Sequence, residues 1–283
     1  CKWRMIDVIL DTYYETTVKL PTTVEEREYL SARFVKKTGI GGILGAIDGL
    51  LVRIVLPPGT KNARTYHCYK SFYALNVQGV AGPDGELMYV NVGHAGSTGD
   101  GYASKHCNWY KSCAENTYWY KDGYFFLADA AYCLMPWCIT PYEGVQGRNS
   151  PNDIFNFHLA KGRQVVERAF GMVMRRWRIL IRPLEVHSVK KMNKIVKVCC
   201  MLHNMTLRNK QSAVIRVCGV DAGRTAFNPV EEFKRHCVVD KIRMHNEEYV
   251  GPFDDDDTAN DEALALQAST KRSIITTMLH DKC

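Results

Sequence analysis

Arg163-Gln164-Val165-Val166-Glu167-Arg168-Ala169-Phe170-Gly171 lies inside a stretch, 150–180, that reads as one long helix. Phe155, Leu159, Val166, Phe170, Val173, Trp177 and Leu180 recur at three- and four-residue steps, which gives the helix one apolar stripe. Glu167 follows Val166 at the border of that stripe. It is the one acid among Lys161, Arg163, Arg168, Arg175, Arg176, Arg178 and Arg182. Arg163 precedes it by one turn on the same side. A surface Glu–Arg pair would explain the helix taken alone. An acid between a core and a basic face also suits a metal ligand that meets a polyanion.

Upstream, Gly45-Ala46-Ile47-Asp48-Gly49 sits within a strand-like run from 43 to 56. An acid inside an apolar strand costs several kcal/mol unless it is paired or bound to a cation. Gly49 beside it would let a ligand approach the backbone closely. A second strand over 70–80 turns at Gly82-Pro83-Asp84-Gly85 into a third over 86–92. Ser97 or Asp100 is expected to cap a helix over about 101–115, and capping is the preferred role for Asp100. A fourth strand, 124–128, ends in Asp129, and an acid at a strand's C-terminal end is a common functional position in α/β proteins. A loop over 132–149 follows. Ser150 as cap and Pro151 at the first position then open the long helix.

Around this centre, 3–20 reads as a helix stopped at Pro21. Thr22-Thr23-Val24-Glu25-Glu26 carries a capping-box start for a second helix reaching about Val35. Gly39 to Gly45 is a hinge; no G-x-x-x-x-G-K-[ST] accompanies it. Residues 188–208 form another helix, with Met192, Ile195, Cys199, Leu202 and Met205 on its apolar side and His203 reading as a core or capping histidine. Past Asn209 the periodicity weakens into a poorly ordered tail through Asp257, then a short helix over about 260–279. The expected organisation is an N-terminal helical segment 1–38, a central domain 39–208 and a tail 209–283 with the acidic run Asp254 to Asp257. The chain opens at Cys1 in what reads as mid-helix, so a fragment is expected.

Composition narrows the classes. Among 283 residues, 37 Lys and Arg outweigh 30 Asp and Glu, for a formal net charge of +7 that points to an acidic partner. Eleven cysteines are scattered with no zinc-type spacing, so reduced thiols and a reducing compartment are expected. No apolar run is long enough to cross a bilayer, and no membrane partner is expected.

The order of elements, with Asp48 on the first strand, Asp129 after the fourth and Glu167 on a later helix, is that of an RNase H-like domain. The sequence resembles the DDE domain of PIF/Harbinger transposases and Harbinger transposase-derived nucleases. The matching fragments, in one order, are Gly45–Gly49, Asn76-Val77-Gln78, Gly96-Ser97 with Asp100, Ala128-Asp129-Ala130-Ala131-Tyr132, Thr140-Pro141-Tyr142, Asn156 with His158, Arg163–Gly171, Arg176–Leu180 and Leu202-His203-Asn204. Leu50-Leu51 stand where the family often has Thr-His, Gly42 where Pro is usual and Gly99 where His is common. Ala128 and Ala130 replace a flanking Gly and Ser. No carboxylate is lost.

The resemblance implies an α/β, RNase H-like mixed sheet flanked by helices, with N-terminal helices and a partly ordered C-terminal tail. It implies that Asp48, Asp129 and Glu167 hold two Mg²⁺ or Mn²⁺ ions, for which hard oxygen ligands are suited. The activity would be metal-dependent cleavage of DNA phosphodiesters at transposon ends, then joining of the 3′-hydroxyl to target DNA. Arg163, Arg168, Arg175, Arg176 and Arg178 become phosphate contacts. The resemblance also implies nuclear localisation and a Myb-like accessory protein; a homo-oligomer is left open. The competing expectation is a domesticated DNA- or protein-binding module that keeps the fold without turnover.

Overall fold

The protein is described by a computed structural model in which residues 2–115, 122–218 and 257–281 are placed. The sheet is mixed α/β in character, as the sequence predicts. Its strands are β1 (Ile43–Arg53), β2 (Ala74–Ala81), β3 (Leu87–Ala95), β4 (Phe125–Leu127) and β5 (Cys138–Ile139). They hydrogen-bond in the order β3-β2-β1-β4-β5. β2 and β3 are antiparallel, whereas β4 runs parallel to both β1 and β5.

The helices are α1 (Lys2–Thr17), α2 (Val24–Thr38), α3 (Asp100–Lys105), α4 (Asn108–Glu115), α5 (Pro151–Arg176), α6 (Val189–Cys218) and α7 (Asp257–His280). Thr23 caps α2 in a complete capping box with Glu26, worth about 1 kcal/mol. Ser150 Oγ accepts from the Asp153 N–H at 3.2 Å and opens α5 as the Ser-Pro signal predicts. The chain forms two compact units: 1–21, 48–107 and 166–227, and 22–47, 108–165 and 228–283. β1 and α5 each pass from one unit into the other.

In the first unit, α1 and β3 both pack on α6. Asn204 joins the three: its Oδ1 accepts from the Leu87 N–H at 2.8 Å, while its Nδ2 donates to the carbonyls of Leu87 (2.7 Å) and Thr17 (3.0 Å). His203 is buried, as expected of a core histidine. Its Nε2 lies 2.9 Å from the Gly85 carbonyl and its Nδ1 3.1 Å from Arg176 Nη1. A neutral imidazole that donates from Nε2 and accepts at Nδ1 satisfies both partners. Burial, chiefly, pushes its pKa below the ordinary histidine value, and Arg176 pushes it the same way.

In the second unit, Phe125, Phe126, Trp109, Trp137 and Phe155 are fully buried. The rings of Trp109 and Phe126 meet edge-on at 5.8 Å, as do Tyr142 and Phe155 at 5.4 Å. α7 closes this unit. Lys271 Nζ, buried, donates to the Pro136 carbonyl at 2.8 Å, and Arg272 donates to the Pro141 carbonyl at 3.1 Å.

Several boundaries differ from the sequence expectation. The helix expected over 101–115 is two helices, broken where the Cys107 N–H reaches back to Ser104. The expected loop 132–149 contains β5, two residues long and too short to show a period. α6 continues to Cys218, past the expected end at 208. The expected short C-terminal helix is α7, while most of the tail expected to be poorly ordered lies outside the described residues.

Candidate functional site

In the first unit the alternation of side chains fixes which face Asp48 occupies. A Cβ added at Gly49 would lie 2.2 Å from Asp100 Oδ1 and 2.9 Å from Gln78 Nε2, so Gly49 faces the side on which α3 lies. One added at Gly79, next to Gln78 on β2, would meet Phe170 of α5 at 2.6 Å. Successive residues of a strand face opposite sides. Asp48, beside Gly49, therefore faces the side covered by α5, the helix that carries Glu167. Asp48 and the helix that carries Glu167 thus lie on the same side of the sheet in one unit. The Gly49 N–H donates to Asp48 Oδ1 at 2.9 Å, and Glu167 is exposed.

Asp129 belongs to the second unit. It follows β4, where the Ala128 N–H donates to the Ile139 carbonyl at 3.0 Å and closes the strand pair just before the acid. Its Oδ1 accepts from the Ala131 N–H at 2.9 Å, an Asx turn that fixes the carboxylate at the strand end. Its Oδ2 lies 3.7 Å from Arg163 Nη2, with both side chains partly exposed. The loop beyond is pinned to α5. Asn156 accepts from the Tyr142 N–H at 2.8 Å and donates to the Tyr142 carbonyl at 3.0 Å.

The five expected phosphate contacts separate into two groups. Arg163 faces Asp129, and Arg176 faces His203, donating also to the His203 carbonyl at 3.3 Å. Arg168, Arg175 and Arg178 are exposed.

Asp100 does not cap α3. The cap position is Gly99 and makes no side-chain hydrogen bond there. Asp100 Oδ1 instead accepts from Asn76 Nδ2 at 2.9 Å and Gln78 Nε2 at 2.8 Å, both amides being buried on β2. A charged acceptor outcompetes a weak cap at the start of a six-residue helix. The signal was present in the sequence: polar residues at alternate positions of an otherwise apolar strand need a partner on that face.

Among the described residues, no group of three or more His, Cys, Asp or Glu side chains is gathered as a metal site. Each of the three expected carboxylates, Asp48, Asp129 and Glu167, is a hard oxygen donor of the kind a divalent cation takes. The described thiols offer no soft competitor. They are free and mostly buried, and burial pushes Cys113 up to about 12 and Cys107 up to about 11. No described helix is long and apolar enough to cross a membrane.

The profile of the DDE superfamily endonuclease family matches residues 47–204, more than half of the 283 residues. HARBI1 of Xenopus laevis, provisionally described as a nuclease, is 29% identical over 218 residues, covering 76% of this chain and 59% of its own length. An ALP1-like protein of Arabidopsis thaliana is 24% identical over 218 residues, with 72% and 52% covered. Antagonist of Like Heterochromatin Protein 1, also from Arabidopsis thaliana, is 26% identical over 220 residues, with 72% and 53% covered. The chain spans little more than half the length of these relatives. No solved structure matches it. On the profile match, which includes Asp48, Asp129 and Glu167, the chain belongs to the DDE superfamily endonucleases.

Proposed function

We propose that the chain is a divalent-metal-dependent DNA nuclease of the transposase type, with Asp48, Asp129 and Glu167 as its metal-holding carboxylates. The placement of Asp48 on the sheet face covered by α5, the helix that carries Glu167, is the observation that carries this reading. Bound by such carboxylates, a pair of Mg²⁺ or Mn²⁺ ions supplies Lewis acidity that makes water a nucleophile near neutral pH and stabilises a leaving oxygen. The protein's own part is positional. The Gly49 N–H fixes one oxygen of Asp48, and the Ala131 N–H fixes one oxygen of Asp129. Arg168, Arg175 and Arg178, exposed on α5 and just beyond it, are proposed as phosphate contacts.

Hydrolysis breaks a P–O bond and leaves a 3′-hydroxyl. Attack of that hydroxyl on a target phosphodiester would form a new P–O bond and expel the target strand's own 3′-oxygen, which takes up a proton as a hydroxyl. The end is then joined to target DNA, which completes the proposed transposase cycle. Nuclear localisation and a Myb-like accessory protein are proposed on the family resemblance. The test is nicking of supercoiled plasmid with Mg²⁺ or Mn²⁺, comparing wild type with Glu167→Gln. The variant is expected to lose roughly a hundredfold or more in rate while retaining DNA binding. Equal rates would remove Glu167 from the site.

A second reading has its own observation. Asp129 already has a protein cation, Arg163, at 3.7 Å, a partner that needs no metal. A relative named as an antagonist of another protein, and not for a reaction, is consistent with this. DNA binding by wild type with no metal-dependent nicking would favour that reading.

A further inference from the structure

The connection between β1 and β2 plays no part in the carboxylate site. From Gly49 to Pro83 the sequence holds no Asp or Glu, but it holds Arg53, Lys61, Arg64 and Lys70, all exposed. Its tip is a tight reversal. The Cys68 N–H donates to the Phe72 carbonyl at 2.9 Å, the Ser71 N–H donates back to Cys68 at 3.0 Å, and Ser71 adopts a left-handed φ of 62°. Buried Cys68 anchors the tip from below, and His67 pairs with Tyr73 across it. The Ser97 N–H, in the turn before α3, donates to the Thr65 carbonyl at 2.9 Å and ties the connection to the body of the unit.

This rigid tip presents aromatic rings to solvent. Tyr69 is 83% exposed and Tyr73 41%; Tyr102 on α3, at the end of the turn that the tip is tied to, is 63% exposed. Lys70 Nζ lies 5.4 Å from the Tyr69 ring, and Tyr102 stacks on His106 at 4.1 Å. Lysine and arginine alone would attract any polyanion. Flat rings held out in water among them add a requirement. Bases inside a duplex are already stacked on each other, so an exposed ring offers stacking only to bases that are unpaired.

We propose that this tip is a platform for unpaired DNA, with Tyr69 and Tyr102 stacking on bases and Arg64 and Lys70 meeting the phosphates. The inference rests on the nuclease reading and deepens it by naming a substrate feature: a single-stranded segment in the DNA that is cut.

The test uses the full chain in EDTA, with a labelled single-stranded oligonucleotide and its duplex followed by fluorescence anisotropy. Tyr69→Ala and Tyr102→Ala are each expected to weaken single-strand binding about tenfold, and duplex binding less than about twofold. Tyr69→Phe, which keeps the ring, is expected to bind as wild type does. Lys70→Ala should weaken both ligands and lower the salt slope by about one. Equal losses on the two ligands, no loss, or self-association that Tyr69→Ala abolishes would each overturn the platform. Plasmid nicking separates the two failures. Unchanged single-strand affinity in Tyr69→Ala beside active wild-type nicking sinks the platform alone. A wild type that neither binds nor cuts DNA sinks both.

Discussion

Gly49→Ala tests the geometry behind Asp48. The new methyl would sit 2.2 Å from Asp100 Oδ1, 2.7 Å from its Cγ and 2.9 Å from Gln78 Nε2, closer than real Cβ atoms come to other atoms. Backbone strain is not the obstacle, because Gly49 is not among the positive-φ glycines. Asp100 has to withdraw. Asn76 Nδ2 then keeps the Thr98 carbonyl and Gln78 Nε2 keeps Asn76 Oδ1, but each buried amide loses its bond to the carboxylate. A buried donor that loses its acceptor costs about 1–3 kcal/mol, so the two amides put the loss at roughly 2–6 kcal/mol. The Gly49 N–H also orients Asp48, so nicking should fall with stability.

The double mutant gives the decisive arm. Asp100→Ala forfeits the same two hydrogen bonds but removes the two closest contacts, so Gly49→Ala added to it should cost little, only the end of the Gln78 side chain still having to shift. The two changes should therefore be strongly non-additive, with a coupling close to the whole single-mutant loss. Urea unfolding followed by circular dichroism and by tryptophan fluorescence measures all four proteins and reveals whether the units melt together. Gly49→Ala within about 0.5 kcal/mol of wild type, or additive losses in the pair, would refute the stated packing.

Three further outcomes are expected. His203 is held neutral, with its pKa lowered mainly by burial, so below about pH 6.5 the unfolded chain binds a proton that the folded chain resists. Stability should therefore fall as pH drops through that window, and His203→Gln should flatten the fall in urea titrations from about pH 7 to about pH 5. Burial lowers Lys271 to about 7, so above that pH the folded chain is neutral there while the unfolded chain still binds the proton. Stability should rise from about pH 7 towards about pH 8.5, by at most about 1.4 kcal/mol per pH unit for one proton; Lys271→Met should remove the rise. Arg168→Ala with Arg175→Ala should lower the salt slope of duplex binding by up to about 2, at little cost in stability. Arg176→Ala should do the reverse, because it strips a partner from buried His203.

The fold was legible where a local signal set an element's boundary. The Thr23–Glu26 capping box, the Gly82–Gly85 turn and the Ser150-Pro151 start all mark their elements within a few residues. Each depends on backbone groups only a turn away. β5 had no such signal. Its two residues become a strand because the Phe126 N–H donates to the Trp137 carbonyl and the Ala128 N–H to the Ile139 carbonyl, and those partners come from another part of the chain.

The same distinction decides what could be read of the site. Asp48 stood out as an acid in an apolar strand; Gly49 was expected to admit a ligand close to the backbone, but the group that fills the space beside it is Asp100, on the reverse face. A stretch of sequence gives the space beside a glycine and leaves its occupant open. The arginines of α5 show the converse. Counted along the chain they form one basic band, yet successive residues about 100° apart around a helix point to every side. Arg163 and Arg176, thirteen residues apart, turn to Asp129 and His203. Arg168 and Arg175, seven apart, fall within about 20° of each other on an exposed side. A phosphate needs cations that share a direction, so the proposed DNA contact of α5 rests on this second pair and not on the number of positive charges.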